Sequence, residues 1–330
     1  MQELWNIYHP DIPEFLHRLS ETAPMQRLRQ VGMNCGCEYT SFPLFQNLRP
    51  YSRFDHSMGV ALIIWHFTSS EAQTIAGLLH DIATPVFAHT VDFLLGDHTT
   101  QEATENRTAE LISSSPEIRM LLDELDLCVE DVADYHRYPI ADNDAPRLAA
   151  DRLEYTLGNL FNYSFCALEQ VRALYEDLCI GTNEDGNPEL CFQSAETAIH
   201  FTELALKTSR IYVADEDRFS MEMLAALLRL GLEQNVLTPT HLHTTEPEVI
   251  SRLLADPICA NHWQQFRSFS AIRQETERPD AGHWIRVPAK LRYIDPLVRE
   301  TGRVSRLSGH CLHLLEDFRQ TRFDYWVGCD

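Results

Sequence analysis

Two histidines and two carboxylates stand at points of the chain where they could hold one ion. His56 closes Arg53-Phe-Asp-His56 just before an apolar run, His80-Asp81 ends Gly77-Leu-Leu-His-Asp81, and Asp151 opens Asp151-Arg-Leu-Glu-Tyr155. Together they offer two neutral nitrogen donors and two anionic oxygen donors, enough to neutralise a divalent cation and leave positions for water and substrate oxygens. The mixed set suits Mn, Fe, Co, Ni or Zn better than Ca, which prefers oxygen alone, and it leaves Mg open. Taken singly, each residue has an ordinary alternative: a helix-terminal cap for His56, a satisfied core histidine for His80, solvated acids for Asp81 and Asp151. The joint pattern weighs the other way, because a His-Asp pair ending an apolar helix is costly to bury without a strong partner.

Helices must position these groups. The spacing predicts one over residues 57–67, directly after His56. Ser70-Glu-Ala-Gln73 reads as a capping box for the next, with apolar Ala72, Ile75, Ala76 and Leu79. Further starts are read at Thr99-Thr-Gln-Glu102, at Ser115-Pro116 and at Asp144-Ala-Pro146 ahead of residues 147–160. Later helices are expected from Ser194 to about Ile211, after Asp217 over residues 218–230, and from Thr245-Glu-Pro-Glu248. In the 147–160 helix, Asp151, Tyr155 and Asn159 share one face at i, i+4 and i+8, with Arg152 on its shoulder. Residues 284–287 and 291–294, separated by Pro288-Ala-Lys290, read as a short β hairpin. The expected fold is mainly α: a helical core over residues 1–180, with the motifs inside 25–163, and a C-terminal helical extension over 181–330 packed with it as one unit. Candidate seams are the polar stretch 181–188 and residues 274–282.

Composition narrows the function. The 330 residues carry 27 basic and 49 acidic side chains, a formal charge of −22, which argues against a nucleic-acid partner, since polyanion binding draws on clustered Lys and Arg. The longest apolar run, residues 58–65, falls far short of the roughly 20 residues that span a bilayer, so no membrane partner is expected. Met1-Gln-Glu-Leu-Trp-Asn6 has no basic or apolar leader character, which points to the cytoplasm. Nine cysteines with no paired CxxC knuckles suit reduced thiols. His241-Leu-His243 is read as part of a loop, and His136 and His200 as structural or surface groups.

At the four candidate ligands the sequence resembles the HD-domain phosphohydrolases, whose motif is H…HD…D, and most of all the branch of the deoxynucleoside triphosphate triphosphohydrolases and related bacterial HD proteins. Met25-Gln-Arg-Leu-Arg-Gln30 resembles the QRLR segment of that branch, and Arg53-Phe-Asp-His-Ser-Met-Gly-Val60 its R-F-[DE]-H-S-[LM]-G-V. Gly77-Leu-Leu-His-Asp-Ile82, Phe87-Ala-His89 and Asp151-Arg-Leu-Glu-Tyr155 resemble its later motifs. The resemblance implies an HD-type helical bundle, metal binding by His56, His80, Asp81 and Asp151, phosphate contacts from Arg53 and Arg152, and a sugar-facing Tyr155. It makes His89 the general acid or phosphate donor, assisted by Glu105, and it implies a homo-oligomer. Two departures fall in the substrate shell. Thr84, followed by Pro85, stands where the branch has a histidine and then a glycine, and Asn159 stands where it has a sugar-facing aspartate. Lys290-Leu-Arg-Tyr-Ile-Asp-Pro296 resembles a C-terminal segment whose basic residues can approach the active site or a subunit contact. The reading is a divalent-metal phosphohydrolase acting on a small phosphorylated substrate such as a nucleotide, with triphosphate release from a deoxynucleoside triphosphate as one outcome. A phosphomonoesterase and a non-catalytic nucleotide sensor are the alternatives.

Overall fold

The computed structural model describes residues 1–99 and 107–329. The apolar run becomes the centre of a helix, Arg53–Thr68, that is buried almost all round, from Phe54 to Ile64 with Asp55 excepted. A helix without a polar face belongs inside a core, and this one packs against the Gln2–Tyr8, Glu71–Leu79 and Ala150–Asn162 helices. It starts four residues earlier than the spacing predicts. The reason is a capping box: Ser52 Oγ accepts from the Asp55 N–H, and Asp55 accepts from the Ser52 N–H.

Several predicted starts appear where their capping residues stand. Ser70, Ser115 and Ser194 cap the Glu71–Leu79, Pro116–Glu124 and Ala195–Ile211 helices, each hydroxyl accepting from the main-chain N–H three residues on. The helix expected after Asp144 begins only at Ala150. Before it the chain is held irregular, with the Leu148 N–H captured by the buried Glu189 carboxylate. The helix expected at 218 runs over Asp215–Glu233, its first turn carrying three acids that suit the positive end of the helix dipole. The start read at residues 99–102 lies largely outside the described residues.

The fold is mainly α, with two small sheets. Leu178–Thr182 and Pro188–Phe192 form the short antiparallel hairpin, and Pro188–Phe192 also pairs in parallel with Leu297–Val298, which pairs with Gly302–Arg303. The polar stretch 181–188 is thus the hairpin turn; Asn183 Oδ1 accepts from the Asp185 and Asn187 N–H groups, and Gly186 takes the left-handed φ of 82°. The pairing predicted between 284–287 and 291–294 is corrected. His283–Ile285 instead joins Trp326–Cys329, which has Arg273–Glu275 on its other side, and residues 291–294 form no strand. Pro288 breaks the ladder between them, because it has no N–H to donate.

One apolar cluster gathers residues from Leu4 to Cys311, among them the inner faces of the helices carrying His56 and Asp151. A second, from Cys35 to Val327, includes Val86, Phe87 and Ala88, the turn that leads to His89. The candidate residues therefore lie where the two clusters meet.

Candidate metal centre

His56 sits one turn into its helix, His80 caps the end of Glu71–Leu79, and Asp151 lies in the first turn of Ala150–Asn162. One ligand atom from each falls within 4.8 Å of the others. Asp151 Oδ1 is 3.0 Å from His56 Nε2 and 3.6 Å from His80 Nε2, while Asp81 Oδ2 is 4.0 Å and 3.6 Å from the same two nitrogens. Each imidazole is aimed by its other nitrogen. His80 Nδ1 donates to the Gly77 carbonyl at 2.7 Å, and His56 Nδ1 lies 2.6 Å from Glu154 Oε2. That second contact is how proteins fix the tautomer and orientation of metal-binding histidines. The donor set, two directed nitrogens and two carboxylates, fits a divalent ion.

Charge holds the acids in the right form. Burial alone would raise the pKa of Asp81, but Arg53, His80 and His56 outweigh it and keep the carboxyl well below the usual carboxylate range. Asp151 is likewise held low against burial by its bond to His56 and the charges around it. Burial opposes the charged form of His56, yet bonds to Asp151 and Glu154 push its pKa up to about 10.

Glu154 is not among the sequence candidates for the site. It is buried at 1% exposure and accepts a 2.5 Å bond from the Tyr51 hydroxyl besides its contact with His56. Two glycines make room for it: a Cβ on Gly59 would lie 2.6 Å from Glu154, and one on Gly158 would lie 2.4 Å from the Tyr51 oxygen. The signal was present as a second acid three residues after Asp151. Arg27, from the QRLR segment, also gains a role, donating to the Ile82 and Thr84 carbonyls at 3.0 and 2.7 Å and so fixing the turn after His80-Asp81.

The remaining candidates divide. Arg53 Nη1 donates to Asp81 Oδ2 at 3.0 Å, at the edge of the cluster. Thr84 donates its hydroxyl to Asp81 Oδ1 at 2.7 Å, so both oxygens of that acid are engaged. Arg152 is committed to the loop before its helix: Nε donates to the Arg147 carbonyl, Nη2 to Asn143, and Nη1 pairs with Asp142 at 2.9 Å. Tyr155 and Asn159 meet Tyr212, the first with ring centroids 6.0 Å apart, the second donating from Nδ2 to the Tyr212 hydroxyl at 2.8 Å. Glu105 lies outside the described residues.

His89 follows two non-glycine residues at positive φ, Phe87 at 58° and Ala88 at 43°. Such positions cost on the order of 1–3 kcal/mol each and persist only where the surroundings impose them. Here the Val86 N–H donates to the Leu242 carbonyl, and the Phe87 N–H faces Glu246 Oε1 at 3.4 Å. The turn aims His89 Nδ1 at Asp92, 3.0 Å away, and Nε2 at Arg292 Nη2, 3.3 Å away. Burial, with Arg292 and Arg53 nearby, outweighs Asp92 and lowers the His89 pKa to about 4.

No protein-family model matches the sequence. The uncharacterized protein YdhJ of Bacillus subtilis is 28% identical over 242 residues, covering 73% of this chain and 71% of its own length. The metal-dependent phosphohydrolase cns2 of Cordyceps militaris is 24% identical over 314 residues, 87% of this chain and 81% of its own. Among solved structures, a hypothetical protein from Aquifex aeolicus has a TM-score of 0.64 at 19% identity, over 97% of this chain and 93% of its own. A phosphohydrolase from Bacteroides thetaiotaomicron has a TM-score of 0.63 at 15% identity, over 97% and 96%. The chain is thus similar in sequence, over most of its length, to a metal-dependent phosphohydrolase, and it shares the fold of another phosphohydrolase.

Proposed function

We propose that the chain is a metal-dependent hydrolase of phosphoester bonds, of the HD type, acting on a nucleotide or a related small phosphoester. The observation that carries this reading is the convergence of His56, His80 and Asp151 within 4.8 Å, with Asp81 beside them and Arg53 bonded to it. The sequence likeness to a metal-dependent phosphohydrolase supports it.

His56, His80, Asp81 and Asp151 would hold the ion. When bound, a divalent ion there supplies Lewis acidity toward water and phosphoryl oxygens. The chain's own groups do the rest. Glu154 and the Gly77 carbonyl keep the two imidazoles aimed. Arg53, fixed on Asp81, offers positive charge where it develops on phosphoryl oxygens. His89 is held with its Nδ1–H toward Asp92, leaving Nε2 to face substrate. Burial, with Arg292 and Arg53 nearby, lowers its pKa to about 4; a phosphoryl dianion beside Nε2 favours the imidazolium, which can protonate the leaving group. Tyr155, Asn159 and Tyr212 form a polar aromatic wall suited to a sugar. Triphosphate release from a deoxynucleoside triphosphate is the finer form of this proposal, with phosphomonoester hydrolysis as its sibling.

The test is an assay of the purified chain with Mn, Fe, Co, Ni, Zn and Mg over a nucleotide panel, scoring phosphate, pyrophosphate and triphosphate separately. Metal-dependent release of one product is expected; no product with any metal overturns the reading. A second reading, a nucleotide sensor, is favoured by Thr84, whose hydroxyl is bound to Asp81 and cannot titrate near pH 7. Tight nucleotide binding without product across the same panel supports it.

A further inference from the structure

We propose that Arg292, a residue remote in sequence from the metal-site motifs, contacts the substrate and grips phosphoryl oxygens beside His89. The inference rests on the phosphoester reading above. Of the two arginines that resemblance assigns to phosphate, Arg152 has its Nε, Nη1 and Nη2 committed to the 142–147 loop, and Arg53 is bonded to Asp81. Arg292 Nη2 meets His89 Nε2 at 3.3 Å, so an oxygen that reaches the imidazole reaches the guanidinium as well. A guanidinium with several donors in one plane is the group that matches a phosphate's oxygens, and a neutral imidazole nitrogen is an acceptor that such an oxygen can replace.

The segment delivers Arg292 in a fixed direction. On either side of it, Leu291 and Tyr293 pack on the cluster of Leu206, Val213, Leu315 and Phe318. In extended chain alternate side chains point opposite ways, which turns Arg292 away from that cluster and toward the site. Three residues on, Asp295 is anchored by its N–H to the Pro146 carbonyl and by its carboxylate to the Ser305 N–H and hydroxyl, at 2.9 and 2.6 Å. The positive charge of Arg292 is also felt by Tyr155, Tyr212 and Asp217, which places it on the side of the site where the Tyr155 wall stands.

The experiment is a calorimetric titration of the metal-loaded full chain with inorganic phosphate, for wild type, Arg292→Gln and Arg292→Lys, with metal content and melting temperature measured on each. Arg292→Gln is expected to weaken phosphate binding by about ten- to a hundredfold, the scale of a lost charge-assisted bond, with metal content and melting unchanged. Arg292→Lys should recover part of the loss. Wild-type phosphate affinity in Arg292→Gln overturns the proposal, as does wild-type protein that takes no phosphate. A loss that comes only with lost metal or a lowered melting temperature also overturns it, since that marks a structural role. Because the readout is binding, a wild-type chain that binds phosphate but turns over nothing removes the hydrolase reading without deciding this one.

Discussion

Two pairs of acids, Asp81 with Asp151 and Glu38 with Glu246, are partly or wholly withdrawn from solvent, and their environments drive them in opposite directions. Asp81 and Asp151 are held low by Arg53, His56 and His80 despite burial. Burial drives up both Glu38 and Glu246, and the neighbouring Glu246 adds to it at Glu38, which is pushed up to about 8. Glu246 finds neutral partners, accepting from the Gly32 N–H at 2.7 Å and the Tyr39 hydroxyl at 2.8 Å. Glu38 Oε2 is buried without a hydrogen-bond partner among the described residues. Burial favours a neutral carboxyl in both places; only the first pair has enough positive charge around it to stay ionised. A cluster of acids becomes a candidate cation site through its company, and in the second pair Glu246 ties Gly32 to the turn before His89.

The contrast breaks most sharply at Asp81. Asp81→Ala should abolish both metal retention and turnover while circular dichroism stays helical, because two imidazoles and one acid leave an incomplete set. A purified variant with full metal content and normal turnover would end the assignment of the first pair. Next in size, His89→Ala should slow a substrate with a poor leaving group by roughly 10² or more, the scale of a general acid, and a nitrophenyl ester much less. Equal losses on both substrates reject the acid role. Thr84→Ala should be milder on each, since its hydroxyl donates to Asp81 and cannot shuttle protons near pH 7. Glu154→Gln removes the anion that orients His56, and about a ten- to hundredfold loss of metal affinity is expected by titration. Unchanged affinity would reduce Glu154 to a packing residue.

The same contrast explains what the sequence made legible. The helices with Ser caps were readable because a cap and its N–H partner lie three residues apart, and His80-Asp81 because it follows one of them, Glu71–Leu79; Asp151 was readable from its motif, while the start of its helix at Ala150, where no side chain caps it, was not. Long-range capture was not readable. The late start of the Ala150–Asn162 helix depends on Glu189, 41 residues from Leu148, and the strand partner of His283–Ile285 lies at Trp326–Cys329. Glu246 is bonded to Gly32 across 214 residues, so nothing local distinguishes it from the surface acids of an acidic chain. Arg292 stood in a quoted segment, yet its contact with His89 spans 203 residues.

The smallest expected effect tests the second pair by stability alone. Burial and the neighbouring Glu246 push the Glu38 pKa up to about 8 in the folded chain, against an ordinary value of 4.5. A folded pKa above the unfolded one means that the stabilisation is fully present below about pH 4.5 and is lost as pH rises through 8. The groups facing it do not reverse this sign: Glu246 opposes a second negative charge, Tyr39 donates to Glu246, and Arg53 acts on Glu246 only as the last of its influences. Glu38→Gln replaces the carboxyl by a neutral group of the same shape that does not titrate. The melting temperature of Glu38→Gln relative to wild type should therefore rise between pH 5 and pH 9, by on the order of 2–4 °C for each kcal/mol of linkage released. Metal content at pH 7 should not change, because Glu38 belongs to the other pair. A difference in melting temperature that stays flat from pH 5 to pH 9 would show that Glu38 is ionised throughout, and the two acid pairs would then differ in position only.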